Sequence, residues 1–104
     1  MIKISLSLGL LLAAGSASWA AGDPGAGRVK SEACLGCHGI ATYNNVYPTY
    51  HVPKLTGQHA EYIVAALQAY QGGQRKHPTM EAQAWGMSDQ DMQDIAAYWA
   101  SAGN

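Results

Sequence analysis

Two cysteines and a histidine fall within five positions in "EACLGCHGI", residues 32–40: Cys34, Cys37 and His38. Four chemistries use such a cluster: a zinc centre, a redox dithiol, a disulfide and covalent attachment of haem. Zinc needs four ligands, usually as two pairs with their own spacing. This cluster offers at most three, and the chain has no second C-x-x-C and no H-x-x-x-H. A thioredoxin-like dithiol needs a strand before the motif and a helix after it, whereas here a helical pattern precedes and an irregular stretch follows. A disulfide between residues three apart closes too small a loop to stabilise much, and it leaves His38 without a role. Haem supplies one. Thiols spaced by two residues reach the two vinyl groups of one porphyrin edge, and the adjacent imidazole donates to the iron from below.

The start of the chain bears on the compartment in which this motif is used. Lys3, the apolar run "ISLSLGLLLAA" at 4–14, and the small residues Ser18 and Ala20 read as a secretory signal peptide over residues 1–20, cut after Ala20. The apolar run has about half the roughly 20 residues needed to cross a bilayer. The expectation is a periplasmic protein with no stable membrane insertion after cleavage. The mature chain, 21–104, is one domain carrying five Lys/Arg against seven Asp/Glu, a net charge near −2. Mild acidity with no basic cluster argues against nucleic acid and anionic lipid as partners. So small a domain buries only roughly 60–65% of its unfolded surface and commonly needs a staple such as a cofactor.

Three helices and a long loop must position the motif. Asp23-Pro24 is an N-cap followed by proline at the first helical position, predicting a helix that runs toward Ala33 and stops at the cysteines. His59, Tyr62, Ile63, Ala66, Leu67 and Tyr70 recur at helical spacing from about Gln58 to Gln71, and Gly72-Gly73 ends that run. Ser88 caps a last helix whose buried stripe is Met92, Ile95, Ala96 and Trp99. A short helical turn fits between Met80 and Trp85. No stretch alternates convincingly as a strand. The connection from Gly39 to Thr56 is long for such a domain, and its Tyr43, Tyr47 and Tyr50 are expected to line one haem edge. If they do not, two of the three face water.

The chain resembles the class I c-type cytochromes, most closely one half of the periplasmic two-haem members. "AGDPGAGRVKSEACLGCHG" is similar to their first helix and haem motif, "VPKLTGQHAEYIVAAL" to their loop-to-helix segment, and "SDQDMQDIAAYWAS" to their last helix. The resemblance implies an all-α, small cytochrome c fold: three main helices and a long loop around one covalent haem c held through two thioethers. It implies that the first and last helices cross, with Gly27 letting the Tyr98/Trp99 region approach closely. It also implies that the Pro53 carbonyl accepts the His38 ring N–H, orienting the ligand. Three features depart from the pattern: the single C-x-x-C-H, the aromatic stretch 39–52 and Trp85, where the family often has a small residue.

The iron's sixth position decides between carrier and enzyme. Met80, Met87, Met92, His51, His59 and His77 are the candidates. Met92 lies on the buried stripe, and Met87 precedes the Ser88 cap, where it suits a packing role. Met80 follows "HPT" in a connection that passes the far face of the haem. In the family the ligand methionine sits eight residues before the serine opening the last helix, as Met80 does. The resemblance therefore implies His38/Met80 ligation and a non-enzymatic electron carrier. Its expected partners are redox proteins such as a quinol-oxidising complex, a terminal oxidase or a periplasmic reductase or dehydrogenase. Two alternatives remain: a haem enzyme or gas-binding sensor with a labile sixth site, using His51 or His77, and a haem subunit of a larger oxidoreductase.

Overall fold

The last helix is the best specified by its own residues. The Ser88 hydroxyl accepts the Asp91 N–H at 3.0 Å and the Asp91 carboxylate accepts the Ser88 N–H at 3.0 Å. This reciprocal pair satisfies two amides that no helical carbonyl reaches. In the computed structural model, which describes residues 22–102, the elements run α1 Pro24–Lys30, α2 Glu32–His38, β1 Asn44–Val46, β2 Thr49–His51, α3 Ala60–Gln71, α4 Pro78–Ala84 and α5 Asp89–Ser101. The signal-peptide reading of 1–20 lies outside the described residues. Met92, Ile95, Ala96 and Trp99 of α5 meet Ile63, Val64 and Leu67 of α3 and Ala84 of α4 in one core. The helical fold is the expected one.

Three local expectations are corrected. The first helix ends at Ser31, and a second, α2, continues through both cysteines to His38. The Ser31 hydroxyl makes no capping bond, and the one helix-start device of α2 is Glu32 in its first turn, where a negative charge favours the positive end of the helix. The region after His77 is a seven-residue helix rather than a single turn, because Pro78 stands at its first position and His77 caps it. Residues 44–51 form an antiparallel hairpin, pairing Asn44 with His51, Asn45 with Tyr50 and Val46 with Thr49 through a Tyr47–Pro48 turn. Each strand has three residues, too few for alternation to register. Side chains close the turn: Thr49 Oγ1 donates to Val46 O at 2.8 Å and Asn45 Nδ2 to Pro48 O at 2.7 Å.

α1 crosses α5, and Gly27 is why they touch. A Cβ there would run into the Asp94 carbonyl and lie 2.9 Å from Tyr98 Cβ. The close approach expected of Gly27 is present, and its main partner is Asp94, one turn before Tyr98. Beside this contact Asp94 is buried, 3% exposed. Its carboxylate accepts from Lys30 Nζ at 2.7 Å, from the Asp23 N–H at 2.8 Å and from Gln90 Nε2 at 2.8 Å. Lys30 also pairs with Asp91 at 2.9 Å.

Lys30 first, then the Asp23 N–H and Gln90, hold the Asp94 carboxyl down at about 2 against 3.8 for the free group. A depressed folded-state value means that the ionised form stabilises the fold. That stabilisation is complete above about pH 4 and is lost as pH falls toward 2. The difference in melting temperature between the native protein and Asp94→Asn is therefore expected to shrink steadily from pH 5 to pH 2. A constant difference across that range would show that the charge is not what matters.

Candidate haem site

Cys34, Cys37 and His38 stand at i, i+3 and i+4 on α2, a spacing that puts three side chains on one helical face. That face borders a cavity of about 450 Å³, within the roughly 300–1,000 Å³ range of cofactor sites. Pro53 and Met80 line the same cavity, so all five residues singled out in the sequence come together. The His38 Nδ1 lies 2.7 Å from Pro53 O. A carbonyl only accepts, so Nδ1 carries the proton and Nε2 keeps its lone pair for a metal. The His38 ring also stands edge-on to Trp99, centroids 6.4 Å apart. Cys34 and Cys37 form no disulfide with each other. Burial, then Cys37, pushes the Cys34 thiol above its ordinary value, keeping it protonated.

Met80 is the third residue of α4, and that helix is held from both ends. His77 Nδ1 accepts the Met80 N–H at 3.4 Å, while Glu81 Oε2 accepts the His77 N–H at 3.2 Å. At the other end Gln71 Nε2 donates to Ala84 O at 3.0 Å and to Met87 O at 2.7 Å, tying α4 to the end of α3. Sequence reasoning missed both devices. Pro78 after a polar residue, with Glu81 behind it, was the available signal for the first. Gln71 carries no local signal.

The other ligand candidates separate. Met87, His51 and His77 also line the cavity, whereas Met92 is fully buried in the core and His59, before α3, is exposed. The tyrosines divide too. Tyr50 lines the cavity and reaches Thr79 Oγ1 at 3.1 Å. Tyr47 at the hairpin tip is 94% exposed, and Tyr43 is half-buried outside the cavity lining. The expectation of a tyrosine-lined edge therefore holds for Tyr50 alone. Trp85, at the end of α4, faces water.

The helical stripe Tyr62, Ile63, Ala66, Leu67 and Tyr70 of α3 supplies one apolar wall. A flat apolar macrocycle fits this lining: two thiols for its vinyl edge, an imidazole nitrogen and a thioether sulfur for its iron. This donor set defines a c-type haem protein. The Cytochrome c family profile matches residues 22–102, and the chain belongs to that family.

Several similar proteins are cytochromes by name. The chain is 44% identical over 84 residues to cytochrome c-554(548) of Halomonas halodenitrificans, covering 78% of this chain and 98% of that protein. It is 40% identical over 101 residues to cytochrome c4 of Pseudomonas aeruginosa, covering 97% of this chain but 49% of the other. A solved cytochrome c4 from Acidithiobacillus ferrooxidans superposes with a TM-score of 0.58 at 28% identity, over 81% of this chain and 53% of that one. The chain thus spans about half the length of the cytochrome c4 proteins it matches. Its cofactor is covalently bound haem c and its chemistry is electron transfer.

Proposed function

We propose that residues 21–104 form a periplasmic electron carrier, exported by residues 1–20, with one haem c bonded to Cys34 and Cys37 and ligated by His38 and Met80. The observation that carries this reading is that one cavity is lined by both thiols, by the imidazole and by the Met80 thioether. When bound, haem c supplies an iron that gains one electron from a donor protein and passes it to an acceptor. Around it, α2 fixes three attachment points on one face. Pro53 holds the His38 ring by its Nδ1 proton, which makes Nε2 a better donor. α4 is braced so that Met80 stays in place without a flexible loop. A Met80 thioether donating to the iron together with the His38 imidazole would raise the reduction potential, and apolar walls that exclude water would add to this. With His38 and Met80 both donating to the iron, no site would be left there for a substrate. Redox proteins of the respiratory chain are the partners this implies.

Mass and visible spectrum of the protein purified from a periplasm test the proposal. The expected mass is that of residues 21–104 plus one haem resistant to acid–acetone extraction. The expected ferric spectrum is low-spin with a weak methionine-to-iron band toward the red. A colourless protein, or a high-spin ferric spectrum, would overturn it.

A further inference from the structure

The hairpin, formed by the segment that departs from the family pattern, reaches both sides of the haem site. Its base is anchored: Val52 is buried at 6% exposed, and its N–H donates to Tyr43 O at 3.0 Å. Just beyond β2, the Pro53 carbonyl holds the His38 ring. Within β2, Tyr50 crosses to α4, the helix that bears Met80, and meets its start twice. The Tyr50 ring stands edge-on to the His77 imidazole, centroids 4.6 Å apart at 84°. Its hydroxyl lies 3.1 Å from Thr79 Oγ1. His77 is also edge-on to Tyr70 of α3, at 6.5 Å and 74°, so rings from two elements fix that imidazole. The imidazole in turn accepts the Met80 N–H, an amide that no helical carbonyl reaches.

A helix of seven residues is too short to hold itself, so the first turn of α4 depends on contacts from outside. We infer that Tyr50 is a positioning residue that keeps Met80 on the iron by clamping His77 and Thr79 at the start of α4. This rests on the haem reading above. Residues 50–53 then serve both axial ligands from one short segment, Pro53 through the imidazole and Tyr50 through the helix behind the thioether. Loss of the clamp raises the fraction of molecules in which the sulfur has left the iron. An added ligand captures that fraction, so its apparent affinity reports the clamp.

The experiment titrates ferric holoprotein with imidazole and compares native, Tyr50→Phe, Tyr50→Leu, Tyr47→Ser and Asp94→Asn. Tyr50→Leu, which loses both contacts, is expected to bind imidazole about tenfold more tightly. Tyr50→Phe keeps the ring against His77 and should gain about threefold. The methionine-to-iron band should weaken in the same order. Tyr47→Ser changes only the exposed hairpin tip, and Asp94→Asn loosens the α1–α5 crossing, so both should match the native protein. Both Tyr50 variants within about twofold of native, the scatter of ordinary surface substitutions, with the band intact, would overturn the inference. So would an equal gain in Asp94→Asn, which would mark general loosening. Tyr50→Phe decides the matter if the leucine variant takes up no haem. Amide exchange at Met80 and Glu81 is followed in the ferrous state and is expected to quicken in both Tyr50 variants. If the native protein lacks the methionine-to-iron band, the axial assignment fails by itself, and exchange at these two amides still decides whether Tyr50 holds α4.

Discussion

Met80→Ala is expected to turn an electron carrier into a ligand-binding haem protein. In the proposed ligation His38 is the next residue after Cys37, so thioethers at the cysteines would keep it beside the iron while the other face would lose its sulfur. Water or another weak-field group then enters. Ferric iron moves toward high spin, and the potential falls because the soft donor that favoured ferrous iron is gone. Carbon monoxide should bind the ferrous variant readily and the native protein poorly. Met87 is the stringent control, since its side chain lines the same cavity. Met87→Ala and Met92→Ala should leave the iron closed, and the second should cost roughly 2–5 kcal/mol of packing, as truncations of fully buried methionines do. A carbon monoxide complex in Met87→Ala but not in Met80→Ala would move the ligand to the other end of α4.

Replacing Cys34 and Cys37 together with alanine is expected to abolish the fixed tertiary structure. Leaving unfilled a cavity of about 450 Å³ costs up to roughly 11 kcal/mol at about 24 cal/mol per Å³. That figure is an upper bound because the cavity opens to solvent. A domain this small has about 4–13 kcal/mol of total stability, taking 0.05–0.15 per residue. The two are of the same size, so cooperativity should fail. Calorimetry checks it: the haem-free variant should show no sharp transition and should bind a hydrophobic dye. A cooperative melt without haem would show that α3 and α5 form a sufficient core by themselves.

How legible each part was in the sequence depended on how far apart its causes lie. α5 was readable because its cap, Ser88 and Asp91, and its stripe from Met92 to Trp99 are neighbours. The donor set was readable because Cys34, Cys37 and His38 sit within five residues and carry a demanding chemistry. That α2 continues through them was not seen, since Gly36 and Gly39 lower local helix propensity. Asp94 gave no warning either. It interrupts the apolar stripe beside Ile95, and the partners that make its burial tolerable, Lys30 and Asp23, lie 64 and 71 residues away. Gln71 and Tyr50 act across elements, where periodicity carries no information. The stripe on α3 was found, but no sequence pattern separates the members that meet protein from those that meet a cofactor.

The crossing of α1 over α5 has a kinetic consequence. Joining Asp23 to Asp94 closes a loop of 71 residues, and the entropy of such closure grows with the logarithm of loop length. If His38 and Met80 share an iron, the path between the two aspartates can be taken through the metal, with roughly 30 residues of chain left to span. That is a little over one halving, or roughly 0.8 kcal/mol less closure entropy. The haem then acts as a tether that brings the two ends of the domain into range before they pack. Folding of the holoprotein should accordingly begin at the iron and finish at Gly27, where the tightest contact is made.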